Sequence, residues 1–188
     1  MRALTLCGLT LFAACGPVDL VVVNVPEDGG FQAPGTACMS NADCLGGQYC
    51  STMRCGGTGT CRQRPPSCAG EHDPECGCDG VTYFNPCLRR SAGVGFAGKG
   101  LCEAARVCDT TTPCEAGQYC ARLVFMPSEC NANVSGACWV LPAGQCEPGP
   151  VPEPTFTPCG SGTCLSVCEA LKRQTPVLIR PQMSGPCP

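Results

Sequence analysis

The chain reads as a small disulfide-rich protein of two repeated ten-cysteine modules, each with a short helix and a small antiparallel sheet, and mostly loops elsewhere. Three observations predict this. Cysteine fills 22 of 188 positions, about 12%, above the ~8–10% that marks a disulfide scaffold. The chain carries 24 glycines and 19 prolines but only 5% aromatic residues, so turns dominate, no single large core is expected, and cross-links substitute for buried area. A cysteine pattern containing Gly-Gln-Tyr-Cys also occurs twice.

Several function classes are excluded. The net charge of −3 gives no electrostatic reason to bind nucleic acid or an anionic membrane surface. No basic cluster exceeds Arg89-Arg90 or Lys172-Arg173. Zinc sites usually show paired Cys-x2–4-Cys motifs, often with histidine. No Cys-x2-Cys occurs here, Cys164-x3-Cys168 stands alone, and His72 is the sole histidine. The cysteines are therefore expected in disulfides, with no metal and no cofactor. One loop histidine makes no Ser-His-Asp set. Gly56-Gly57-Thr58-Gly59-Thr60 lies between cysteines and reads as a turn rather than a phosphate cradle. The chain is not expected to be an enzyme.

Residues 1–14 read as an export signal. Met1-Arg2 supplies the charge, and Ala3 to Ala14 is an apolar run too short for the ~20 residues of a membrane-spanning helix. It ends Phe12-Ala13-Ala14-Cys15-Gly16, which resembles the bacterial lipoprotein cleavage box, with Phe12 where leucine is usual. That resemblance implies cleavage before Cys15, lipidation of Cys15 and anchoring, with Gly16 after the cysteine suggesting the outer membrane. The alternative is an ordinary signal peptide that leaves a free Cys15 thiol on a secreted protein. Removing Cys7 with the signal and setting Cys15 aside leaves 20 cysteines, an even number. Residues 15–36 look like a tether broken by Gly29-Gly30 and Pro34-Gly35. Leu20-Val21-Val22-Val23 is either linker or an edge strand.

The repeat pairs Cys38-x5-Cys44-Leu-Gly-Gly-Gln-Tyr-Cys50 with Cys108-x5-Cys114-Glu-Ala-Gly-Gln-Tyr-Cys120. Cys61-x6-Cys68 then corresponds to Cys138-x7-Cys146, with proline inside each. Ten cysteines from Cys38 to Cys102 match ten from Cys108 to Cys187 in the same order. Module one spans 37–102 and module two, a degenerate repeat, 107–188. Val81 to Phe84 reads as a strand with its partner near Gly95-Phe96-Ala97. Asn85 caps a helix from Pro86 to Ala92, and Leu165 to Arg173 reads as the equivalent helix.

Within module one, Cys68 is followed after seven residues by Cys76-Gly77-x-Asp79-Gly80-x-Thr82-Tyr83-x-Asn85-x-Cys87. Spacing and residue types together resemble the Kazal family of serine-protease inhibitors over residues 61–102. The family's first cysteine and the one inside its helix are both absent, and these normally pair with each other. The resemblance implies one short helix on a small antiparallel sheet and two disulfides, Cys68–Cys87 and Cys76–Cys102. Mapped through the repeat, it implies Cys146–Cys168 and Cys159–Cys187. Cys78 then needs a partner outside the motif, with Cys61 the nearest and Cys138–Cys164 the counterpart. The sequence leaves the pairing of Cys38, Cys44, Cys50 and Cys55 open, Cys38–Cys50 with Cys44–Cys55 being one way to complete module one.

The resemblance also implies a function. Family inhibitors present an extended loop that binds a protease like a substrate strand, preorganised so that little entropy is lost. Here that loop is Ala69, Gly70, Glu71 and His72, with Gly70 facing the enzyme's primary pocket and Gly70–Glu71 as the scissile bond. Asn85 corresponds to the asparagine that braces the loop; it either only caps its helix or does both, and Tyr83 packs beneath. Glycine gives that pocket no side chain and loosens the backbone. Glu71, Asp73 and Glu75 make the loop acidic. In module two, twelve residues separate Cys146 from Cys159 and no Thr-Tyr-x-Asn follows, so no second loop is expected. The reading is an exported, lipid-anchored inhibitor of a secreted serine protease. The alternative is a non-inhibitory structural or adhesion scaffold of the cell envelope.

Overall fold

Gly-Gln-Tyr-Cys leads into a strand in both places where it occurs. A computed structural model describes residues 35–131, 133–144, 156–160 and 163–179. At the first site β1 (Ala37–Cys38), β2 (Gln48–Thr52) and β3 (Gly59–Gln63) form a sheet of order β1-β3-β2. Cys50 lies opposite Cys61 and Cys38 opposite Gly59. Further along come β7 (Val107–Cys108), β8 (Tyr119–Ala121) and β10 (Gly136–Val140), with β10 between β7 and β8. There Cys120 lies opposite Cys138 and Cys108 opposite Gly136, the same register. Both glycines sit under a backbone carbonyl: a Cβ would lie 2.5 Å from Ser51 O at Gly59 and 2.5 Å from Ala121 O at Gly136.

Between these sheets lie β4 (Glu75–Gly77), β5 (Thr82–Tyr83), α1 (Pro86–Ala92) and β6 (Phe96–Lys99). Asp79-Gly80 turns β4 directly into β5, with Gly80 at φ +76°, where glycine carries no steric penalty. Because that tight hairpin pairs β5 with β4, β6 is left the far edge of β4. The expected pairing of residues 81–84 with 95–97 is therefore corrected. The other edge of β5 pairs in parallel with β10, Thr82 opposite Trp139. The sheet runs β6-β4-β5-β10-β7 and joins the two halves of the chain. Arg64 fixes the first sheet to α1 by donating to Gln48 O at 3.1 Å and Ala92 O at 3.1 Å.

The remaining strands, β9 (Leu123–Val124), β11 (Phe156–Pro158) and β12 (Val177–Ile179), form a third sheet beside α2 (Val167–Lys172). Ser166 caps α2 in a box with Glu169. The largest apolar cluster joins Phe84 of the first half to Trp139, Leu141, Phe156, Val167, Leu171 and Val177. A second gathers Val81 and Tyr83 with the half-cystines Cys108, Cys120 and Cys138. All described residues belong to one compact unit.

Eight disulfides lie wholly among the described residues, and they correct several expected pairs. Cys38–Cys50, Cys68–Cys87 and Cys76–Cys102 are present. Cys44 bonds Cys61, not Cys55, and Cys55 bonds Cys78, which corrects the expected Cys61–Cys78 pair as well. Geometry explains the exchange. Cys55 follows β2 closely, and Thr52 at the end of β2 packs on Gly95 beside Cys78, whereas the backbone before Cys44 lies over Cys61, with Asp43 O 3.7 Å from its sulfur. Cys114 bonds Cys138, so Cys138–Cys164 is corrected by the same register. Cys130 bonds Cys159, which overturns Cys159–Cys187, because Cys159 directly follows β11 as Cys78 follows β4. Cys164 and Cys168 are disulfide-bonded as well. Cys7, Cys15, Cys146 and Cys187, and so the Cys146–Cys168 pair and the lipidation site, lie outside the described residues.

Candidate functional site

The segment from Cys68 to Cys76 crosses from the first disulfide of α1 into β4 with no strand of its own before Glu75. It is tied at both ends, by Cys68–Cys87 to the first turn of α1 and by Cys76–Cys102 beyond β6. Asn85 holds the middle. Its Nδ2 donates to Ala69 O at 2.8 Å and to Glu71 O at 3.0 Å, on either side of Gly70. Its Oδ1 accepts from Leu88 N at 2.9 Å. The side chain therefore caps α1 and at the same time holds the backbone on both sides of Gly70. Its burial, at 4% exposure, keeps water from competing for these bonds.

After Glu71 the loop is pinned repeatedly. The His72 ring lies 4.8 Å from the Phe84 ring. Asp73 N donates to Phe84 O at 3.1 Å, and Pro74 O accepts from Gly100 N at 2.8 Å. Lys99 Nζ reaches Asp73 Oδ2 and Glu75 Oε1, each at 3.0 Å. The carboxylates of Asp73 and then Glu75 hold the Lys99 ammonium above the usual lysine range. Glu75 completes the chain with a buried ion pair, Arg89 Nε to Glu75 Oε2 at 2.8 Å, both side chains 5% exposed. Arg89 also donates to Val94 O and lies over the Phe96 ring.

Tyr83 is placed differently from the expectation that it packs beneath the loop. It belongs to the cluster with Val81 and the cystines, and its hydroxyl donates to Asp79 Oδ2 at 2.8 Å. Burial, and then that bond to Asp79, raise its phenol above the usual tyrosine range. Tyr83 thus locks the β4–β5 turn, and Phe84 and Lys99 support the loop in its place. Neither has a local signal: Phe84 alternates into the other cluster, and Lys99 lies 26 residues from Asp73.

Ala69 and Glu71 are exposed, while Gly70 between them is buried. The cysteine sulfurs converge in two places, Cys38 with Cys44 and Cys61, and Cys108 with Cys114 and Cys120. Each of these is a disulfide sulfur and so is not the thiolate a metal requires. Residues 61–91 match the family model of the Kazal-type serine protease inhibitor domain. The match takes in the loop, the β4–β5 hairpin, Asn85 and nearly all of α1, and leaves the second half of the chain outside it.

Proposed function

We propose that this chain is an exported inhibitor of a secreted serine-type endopeptidase, that Ala69, Gly70, Glu71 and His72 form its binding loop, and that a lipid on Cys15 anchors it in the cell envelope. The observation that carries the inhibitory part is the double hydrogen bond of Asn85 to the carbonyls of Ala69 and Glu71. A loop fixed on both sides of one peptide bond enters an enzyme cleft with little entropy left to lose. It also keeps the leaving amine of Glu71 beside the acyl carbon of Gly70 if that bond opens, so closure competes with release. The two modules of matched cysteine order give the loop its rigid base.

One observation favours the second reading, a non-inhibitory scaffold of the cell envelope. Gly70 is buried between two exposed neighbours and offers no side chain to a primary pocket, the usual centre of binding energy. Titrating oxidised residues 16–188 against proteases of subtilisin, elastase, trypsin and chymotrypsin types separates the two, with mass spectrometry of the Gly70–Glu71 bond. The inhibitor reading expects stoichiometric loss of activity with the bond intact or slowly cut. No inhibition of any enzyme, repeated with Gly70→Leu, leaves the scaffold. Lipidation of Cys15 is read independently from the mass of the N-terminal peptide.

A further inference from the structure

Behind the second half of the loop lies a cleft of 190 Å³ whose exposed wall is carbon throughout. His72 and Pro74 form one side. Trp139, Phe156, Val167 and Leu171 form the other, contributed by β10, β11 and α2. Two physical facts restrict what fills it. Among the described residues no polar atom is exposed on the wall to bond a water, and an apolar space of about 150 Å³ is large enough to accept benzene. A charged or strongly hydrogen-bonding molecule would lose its hydration without compensation.

We propose that this cleft is a binding site for one compact, uncharged apolar molecule, about the size of a single aromatic ring. Its place in the fold gives occupancy a consequence. His72 and Pro74 lie two and four residues after Gly70 and share the loop that Asn85 braces. An occupant fills the space behind them and restricts their movement. Binding does not depend on the inhibitor reading; only its value for protease binding does.

Trp139 is the one tryptophan of the chain and lines the cleft, so its fluorescence reports occupancy. The oxidised full chain is titrated with toluene and, in parallel, with benzoate, which has the same ring and a charge. A saturable one-site response to toluene is expected, with no response to benzoate. Leu123→Phe, which intrudes on the cleft, weakens the response at least fivefold. Leu101→Phe does the same from the rim, where Leu101 is 54% exposed and folding is insensitive to the change. Hydrogen exchange at the amides of Glu71 to Asp73 slows at least threefold with toluene bound. A response linear in toluene, an equal response to benzoate, or unchanged affinity in both variants would overturn the site. Saturable binding with unaltered exchange would overturn the coupling to the loop. Neither result bears on protease inhibition, which is measured without toluene.

Discussion

Asn85 reaches back sixteen residues to Ala69, its amide nitrogen 2.8 Å from that carbonyl, while its amide oxygen caps α1 at Leu88 N. The helix and the loop thus share one side chain, and substitution can separate its two roles. Asn85→Ser keeps a cap acceptor but is too short to reach the loop. Asn85→Ala removes both. Losing two neutral hydrogen bonds costs ~0.5–1.5 kcal/mol each, and losing the cap adds ~0.5–2 kcal/mol. Cleavage at Gly70–Glu71 by an engaged protease should quicken about tenfold in both variants, at about 1.4 kcal/mol per decade. Guanidinium unfolding should show the larger loss only in Asn85→Ala. Slow cleavage in the serine variant would show that the loop is held by its disulfides alone.

How far the sequence anticipates this arrangement depends on range. Asp79-Gly80, Asn85 and Pro86 act on residues within a few positions, and the turn and α1 appear where those residues place them. Non-local features escape. Cys55 pairs with Cys78 because Thr52, at the end of β2, packs on Gly95 beside Cys78, and no spacing rule contains that contact. The parallel pairing of β5 with β10 joins Thr82 to Trp139, and neither segment advertises a partner. Tyr83 follows the same logic, since strand alternation sends it to the cluster opposite Phe84.

The buried ion pair beneath the loop predicts an asymmetry. Among the described residues Glu75 has two cations, Arg89 at 2.8 Å and Lys99 at 3.0 Å, whereas Arg89 has one carboxylate. Removing one partner of a buried pair typically costs ~3–5 kcal/mol, because a charge is left uncompensated. Glu75→Ala strands the Arg89 guanidinium and should fall in that range. Arg89→Met leaves Glu75 its lysine, fills similar volume and should cost less. Denaturant midpoints with disulfides intact test this ordering, and equal or reversed losses would refute it.

Tyr83 gives the fold an alkaline limit. An unfolded tyrosine ionises near pH ~10, while burial and Asp79 raise the folded phenol above that. Between the two values the folded state holds a proton that the unfolded state has lost. Stability from this group is therefore complete below about pH 10 and falls as pH rises. Tyr83→Phe should flatten the slope of stability against pH between about 10 and 11, at some cost at neutral pH from the lost bond to Asp79. An unchanged slope would place the alkaline limit elsewhere, Lys99 being the next candidate because its raised folded value acts in the same direction.

The last prediction concerns the second half. Phe156 bridges Leu165 as Glu75 pairs with Tyr83. By that register Thr157 stands where Cys76 does, and Cys164 where Thr82 does. Thr157 Oγ1 lies 4.0 Å from Cys164 Sγ, so threonine and cysteine have traded places across one strand pair. Cys168, second in α2 as Cys87 is second in α1, would then bond Cys146. With Cys159 taken by Cys130, Cys187 would bond Cys164 in place of the Cys76–Cys102 link. Proteolysis at low pH and mass mapping of the oxidised chain should recover peptides joining Cys146 to Cys168 and Cys164 to Cys187. A Cys146–Cys164 or Cys168–Cys187 peptide would break the correspondence. Ser166, where Asn85 stands before α1, already accepts from Glu169 N within its capping box. Its hydroxyl is too short to brace two carbonyls across a loop, so the second role of Asn85 has no counterpart in that side chain.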